Sequence, residues 1–196
     1  IIYDTLQQLQ LRPNLTTLDL INIKKIDFNS FSDRIRRVTK LVLKNCEAYN
    51  NEIHIVDLPH LKDLQIVYSE EITTIKVSKC PQLVNLVLFN HSHLRTLEIK
   101  DTQKIEEIDV RNCTLNVSAW RQIEKFTNLK SLQAAVLPLS SYLRITAQCP
   151  TISISGKIVM DRVYHCSVAM IGTPVPWISK EEYDESGPSI PRRKIF

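Results

Sequence analysis

The stretch Leu61-Lys62-Asp63-Leu64-Gln65-Ile66 decides the fold, because its pattern, apolar-x-x-apolar-x-apolar, recurs on both sides of it. Upstream lie Val38-x-x-Leu41-x-Leu43 and Leu15-x-x-Leu18-x-Leu20; downstream lie Leu83-x-x-Leu86-x-Leu88, Ile105-x-x-Ile108-x-Val110 and Leu129-x-x-Leu132-x-Ala134. Successive copies start 23, 23, 22, 22 and 24 residues apart. The last two apolar residues of each copy stand two apart, the period of a strand with one face buried. A single copy cannot bury its own apolar edge, so neighbouring copies must stack. Their strands then form a parallel sheet, and the leucines fill a continuous interior.

A second phase runs through the middle of the chain. Ile72-x-x-Ile75-x-Val77 and Leu94-x-x-Leu97-x-Ile99 begin eleven residues after the copies at Leu61 and Leu83. Extra strands are therefore expected on the return side of each pass. Elsewhere the return path reads as helical. Ser118 is placed as the cap of a helix running to Phe126, with Ala119, Ile123 and Phe126 on one face. Asp4 to Leu11 and residues 30–37 are further helix candidates. Only three glycines occur, so the corners must turn on Asn, Asp, Ser and Pro.

A repeat period of this length is that of a leucine-rich-repeat solenoid. The chain resembles the leucine-rich-repeat superfamily over roughly residues 5–157. The expected fold class is an α/β solenoid with a parallel β-sheet, short helices and extra strands on the return side. An N-terminal helix or incoming repeat is expected over 1–14, the solenoid over 15–157, and a C-terminal cap with an extended Pro-rich tail over 158–196. Trp177 is the natural anchor of that tail. Ile1 is not an initiator Met, and the chain is expected to begin inside a longer protein.

The residue closing each strand departs from the usual Asn: it is Cys46, Ser69, Cys80, His91, Thr102 and Cys113. The passage Lys79-Cys80-Pro81-Gln82-Leu83-x-x-Leu86-x-Leu88 resembles the cysteine-containing repeats of F-box proteins, echoed by Leu58-Pro59-His60-Leu61 and Cys149-Pro150-Thr151-Ile152-Ser153-Ile154. The Ile- and Asn-rich style is similar to fungal F-box repeat proteins. In such families the repeats choose substrates for an SCF-type ubiquitin ligase, while a separate F-box grips the Skp adaptor and, through it, the cullin. This sequence carries no F-box, which the resemblance would place upstream of Ile1. The alternatives are a scaffold subunit of a large intracellular complex and a secreted or cell-surface recognition protein.

Composition bounds these readings. With 25 basic and 21 acidic residues interleaved, the net charge of +4 singles out no partner class. No stripe of aromatic and basic residues indicates nucleic acid, and no apolar run is long enough to span a membrane. Five cysteines are an odd count without a disulfide-framework spacing, which favours a reducing, intracellular setting, nuclear or cytoplasmic. Against it stand four Asn-x-Ser/Thr sites, at Asn14, Asn90, Asn112 and Asn116. There is no Gly-rich phosphate loop, no Gly-x-Ser-x-Gly and no Cys-x-x-Cys. His91-x-His93 lacks cysteine or carboxylate partners at ligand spacing and reads as a polar turn. Paired acids such as Glu70-Glu71, Glu106-Glu107 and Glu181-Glu182 point to opposite faces on a strand, so they are not acid/base dyads. The expectation is a non-enzymatic domain with no cofactor and no metal.

Function must then reside on a surface. Residues between the inward leucines point out. The outward positions include Ile21, Val42, Gln65, Val67, Asn85, Val87, Phe89, Glu107, Asp109 and Arg111, which form the expected partner-binding set. Val67, Val87 and Phe89 are expected to form one apolar patch, with Glu107 and Asp109 beside it to set orientation. The second-phase outward residues, Thr74, Lys76, Ser78, Thr96, Glu98 and Lys100, include no large apolar side chain.

Overall fold

The computed structural model describes residues 15–27 and 35–161. All elements below belong to the first of the chain's two units, Ile1–Val159. The expected helix over Asp4–Leu11, residues 30–34 of the second helix candidate, Asn14, Glu181-Glu182, the fifth cysteine and the tail with Trp177 lie outside the described residues.

The fold is mostly parallel β-sheet with few short helices, an α/β-like arrangement. Among the described residues the main sheet has seven strands, in the order β1 (Thr17–Ile21), β2 (Lys40–Lys44), β4 (Asp63–Val67), β6 (Asn85–Phe89), β8 (Glu107–Val110), β9 (Ser131–Pro138) and β10 (Ser153–Val159). The second has three, β3 (Glu52–Val56), β5 (Thr74–Ser78) and β7 (Thr96–Lys100). Every pairing is parallel. The six copies of the phrase supply the first six main-sheet strands, and the degenerate copy at Cys149 supplies β10.

Register follows the apolar period. Leu18, Leu41, Leu64, Leu86, Ile108, Leu132 and Ile154 stand opposite one another in one column across the sheet. Leu41, Leu43, Leu64, Ile66, Leu86 and Leu88 are fully buried, and they share one core with Ile53, Ile55, Ile75 and Val77 of the other sheet. Burial of each such side chain contributes about 1.5–3 kcal/mol. A slip of one residue would turn the whole apolar set to solvent, so the core holds the register.

Strand entry repeats as well. The carbonyls of Thr39, Lys62, Val84 and Glu106 each accept two successive amides from the next strand, as in Lys62 and Asp63 to Thr39 at 2.8 and 3.0 Å. Strand exit uses a left-handed residue: Asn22, Asn45, Tyr68, Asn90 and Asn112 in the main sheet, and Asp57, Lys79 and Asp101 in the second, all near φ +50 to +64°. Short Asn and Asp tolerate this region best. They do here what glycine does elsewhere.

β10 is the irregular strand. Its register against β9 shifts between Ser155 and Lys157, and Gly156 sits between them at φ +153°. A Cβ there would overlap the Ala134 carbonyl oxygen, so only glycine allows β10 to lie against β9.

Three features differ from the sequence reading. β3 was not expected: Asn50 occupies its first apolar position, and only Ile53 and Ile55 remain of the phrase. Its outward residues are Glu52, His54 and Val56, so the second sheet does carry one apolar outward side chain. Helix α2 (Leu139–Gln148), which packs near β9 and β10, was also unread. Its Ser141 hydroxyl donates to Glu124 at 2.7 Å, and Arg144 reaches the same carboxylate at 2.9 Å. Finally, α1 spans Val117–Ile123 and is capped by Asn116, not Ser118. The Asn116 side-chain oxygen accepts the Ala119 amide at 2.9 Å, and its amide nitrogen donates to the Arg95 carbonyl at 2.6 Å. Asn116 both caps α1 and ties it to the entry of β7. Ala119, Ile123 and Phe126 are buried as expected.

Asn116→Ala removes both bonds and is expected to lower stability by about 1–2 kcal/mol in urea unfolding, whereas Ser118→Ala, on an exposed side chain, should change it by less than about 0.5 kcal/mol. The reverse order of effects would contradict the cap assignment.

Candidate functional site

Three rows of side chains cross the outward face of the main sheet. The first is Thr17, Lys40, Asp63, Asn85, Glu107 and Ser131. The second is Asp19, Val42, Gln65, Val87, Asp109 and Gln133. The third is Ile21, Lys44, Val67 and Phe89. Arg111 continues the third row, because the Asn90 amide donates to its carbonyl at 3.1 Å.

The first row is polar and internally bonded. Lys40 pairs with Asp63 at 3.3 Å, and Asp63 accepts from Asn85 at 3.1 Å and from Gln65 at 3.2 Å. Glu107, between Asn85 and Ser131 in this row, is exposed. The third row is different. Val67 and Phe89 are direct neighbours, with Val87 two residues before Phe89 on the same strand face. These three form the expected apolar patch. Val42 is set apart from Val87 by Gln65, and Ile21, half exposed, is set apart from Val67 by Lys44. They flank the patch without joining it.

Tyr68 belongs to the site and was not read from the sequence. Strict alternation would aim it away from Val67. Its left-handed backbone, φ +58°, turns the ring to the outward side instead, where it meets Phe89 edge-on with centroids 5.2 Å apart. Tyr68 is 47% exposed. The ammonium of Lys44 lies 5.8 Å from the Tyr68 ring, and the guanidinium of Arg111 lies 5.4 Å from the Phe89 ring. A cation, two aromatic rings and a second cation thus follow one another across four neighbouring passes of the chain.

The backbone position makes Tyr68 notable. The other four exit residues of this series are Asn. A bulky side chain in that region costs about 1–2 kcal/mol that Asn largely avoids. Edge-on stacking offsets about 0.5–1.5 kcal/mol of this.

Asp109 does not stand free beside the patch. It is buried and holds Arg111 through Nε at 3.0 Å and Nη2 at 2.8 Å. This pair holds the Arg111 guanidinium above its ordinary pKa. Asp109 therefore positions Arg111 over Phe89 rather than facing a partner. Lys44 has no carboxylate partner among the described residues.

Beneath the face, the strand-closing residues are buried or half-buried; Cys46, Ser69, Cys80, His91 and Cys113 contact backbone, while the buried Thr102 hydroxyl has no hydrogen-bond partner among the described residues. Cys46 donates to the Leu20 carbonyl at 3.3 Å, Cys80 to Ser78 at 3.4 Å and Cys113 to Leu88 at 2.6 Å. Burial pushes the Cys46 and Cys80 thiols up, and the Cys113 thiol up to about 11. Such thiols are poor nucleophiles. All four described cysteines are unpaired thiols. His91 is fully buried, with Nδ1 3.0 Å from the Ser69 carbonyl and Nε2 2.8 Å from the Ile66 carbonyl. The Asn-x-Ser/Thr sites acquire local reasons: Asn90 and Asn112 are left-handed exits, and Asn116 is the α1 cap.

Among the described residues, no three His, Cys, Asp or Glu side chains converge as metal ligands would. A cavity of about 390 Å³ is lined by Lys104, Glu106, Lys130 and Cys149 among others. Its charged groups are engaged, Lys130 with Glu106 at 2.7 Å and Lys104 with Gln82 at 2.9 Å. No helix among the described residues is long and apolar enough to cross a membrane. Comparison with protein-family models, curated proteins and solved structures finds no match to this chain.

His91 makes stability depend on pH. Burial lowers its pKa from the ordinary 6.5, against the opposing pull of the Ile66 and Ser69 carbonyls. The unfolded chain then binds the proton more readily, so this contribution is complete above the unfolded pKa of about 6.5 and is lost as pH falls through the window below it. The urea midpoint should drop between pH 7 and pH 5, and His91→Phe should show a smaller drop. An equal drop in the variant would contradict the assignment to His91.

Proposed function

We propose that the chain is a leucine-rich-repeat solenoid acting as a non-enzymatic recognition domain, which captures a protein partner on the outward face of the main sheet. The observation that carries this reading is the asymmetry of the two outward faces. The main sheet gathers Val67, Val87, Tyr68 and Phe89 into one patch between Lys44 and Arg111. The second sheet presents Glu52, His54, Lys76, Glu98 and Lys100, with Val56 as its one branched aliphatic. A partly apolar patch rimmed by polar groups is the usual form of a protein-binding surface. The regular pairing of passes 22–24 residues apart supports the solenoid reading.

The biological setting follows from resemblance alone. The Lys79-Cys80-Pro81 passage and its echoes are similar to F-box repeat proteins. On that footing the domain is the substrate-receptor part of an SCF-type ubiquitin ligase, in the nucleus or cytoplasm, joined to a Skp adaptor and cullin through an F-box elsewhere in the parent protein. Affinity purification of the full-length parent tests this. Co-purification of a Skp adaptor and cullin supports the ligase role. A stoichiometric complex without them makes the domain a scaffold subunit.

The sheet-face claim has its own test. Val87→Asp combined with Phe89→Asp should abolish capture of the co-purifying partner and leave the far-ultraviolet circular dichroism spectrum unchanged. A folded double variant that captures its partner normally would refute the claim.

A further inference from the structure

The row Lys44, Tyr68, Phe89, Arg111 has a definite length and charge pattern. It spans three strand spacings, about 14 Å at about 4.8 Å per spacing. An extended peptide covers about 13–14 Å in four residues, and side chains at i, i+2 and i+4 face the same way. Cations stand at the two ends of the row and aromatic rings in the middle.

From this match, and resting on the sheet-face reading above, we propose that the row binds an extended acidic peptide segment of the pattern acidic-x-apolar-x-acidic, laid across the strand ends. The central apolar side chain sits against Tyr68, Phe89, Val67 and Val87. One flanking carboxylate meets the Lys44 ammonium, which has no carboxylate partner among the described residues. The other meets Arg111, whose Nε and Nη2 are held by Asp109 while Nη1 has no partner among the described residues.

Three observations favour this occupant over a generic apolar one. The cations over the two rings leave a surface that is apolar in the middle, with the Lys44 ammonium at one end and the Asp109-paired Arg111 guanidinium at the other. The buried Asp109 fixes the Arg111 guanidinium in place, so its orientation is set before any ligand arrives. Tyr68 stands at the one exit position of the main series where Asn is replaced by an aromatic, at φ +58°. A strained, half-exposed ring in an otherwise uniform series points to a role outside folding.

The test uses the whole 196-residue chain and a defined probe. The probe is a capped, fluorescein-labelled peptide of serine and glycine, with a central tryptophan and an aspartate two residues to each side. Fluorescence anisotropy should show saturable binding that weakens as salt is raised. The same peptide with asparagine in place of both aspartates should bind about tenfold more weakly. Tyr68→Asn, the residue used elsewhere in the series, should remain folded, with a melting temperature within a few degrees of wild type, and lose binding by about tenfold or more. Lys44→Gln should bring the acidic peptide down toward the neutral one.

Equal affinity for the acidic and neutral peptides, or unchanged affinity in a folded Tyr68→Asn variant, would overturn the proposal. So would concentration-dependent dimerisation of the chain that disappears in Tyr68→Asn, since the row would then be occupied by a second copy. No peptide binding, with partner capture still lost in the Val87→Asp, Phe89→Asp variant, overturns the acidic-peptide proposal and leaves the sheet-face reading. Unaltered partner capture in that variant overturns the reading beneath it.

Discussion

The controlling constraint is that no single copy of the apolar phrase can bury its own leucines. Leu64 reaches full burial because Leu41 and Leu86 stand on either side of it in the same column. Each column is a stack of side chains from passes 22 to 24 residues apart. The backbone follows: parallel pairing lets every pass repeat the same inward set, and the paired amides at Thr39, Lys62, Val84 and Glu106 lock each strand entry to the one before. Once the inward columns are aligned, the outward residues are aligned too. The surface row is therefore a consequence of the core, and a substitution at Phe89 acts on a position whose neighbours, Val67 and Arg111, are set by leucines beneath.

Corner chemistry shows the same economy. Asn22, Asn45, Asn90 and Asn112 take the left-handed turn, and the next buried group closes it. Cysteine suits that second place because its small thiol packs like a hydrophobe and still donates weakly to a carbonyl, as Cys113 does to Leu88. Ser69 does it with a hydroxyl that receives the Cys46 amide at 3.0 Å. His91 brings its two ring nitrogens to two carbonyls, and a neutral ring, with a single N–H, donates to one of them. These substitutions for the usual corner Asn change the titration of the interior without changing the path of the chain.

Much of this was legible in the sequence, for a physical reason: the period of the apolar residues is the period of the stacking. The main-sheet strands and β5 and β7 follow directly from it. β3 was hidden because Asn50, itself left-handed at φ +58°, stands where the phrase needs an apolar residue. The cap of α1 was misplaced by two residues because Asn116 and Ser118 have equal local preference, and only the bond from Asn116 to the Arg95 carbonyl separates them. Helix α2 buries Ile145 together with Ser141, which is held by Glu124, and a buried serine leaves a gap that apolar periodicity does not register. The site was half legible. Alternation placed Val67, Val87 and Phe89 correctly on one face. It could not place Tyr68, whose backbone leaves the alternating pattern, nor foresee that Asp109 is consumed by Arg111.

What the surface recognises is decided most directly by asking which face touches a protein in the native complex. A photo-crosslinking residue placed at Gln65, in the middle row of the main sheet, compares with one at Lys76, at the corresponding outward position of the second sheet. Both sit mid-strand on half-buried outward positions, so both should be tolerated. In full-length protein purified with its partner, irradiation should yield a covalent adduct from Gln65 and none from Lys76. An adduct from Lys76 alone would contradict the account, because it would place recognition on the polar sheet.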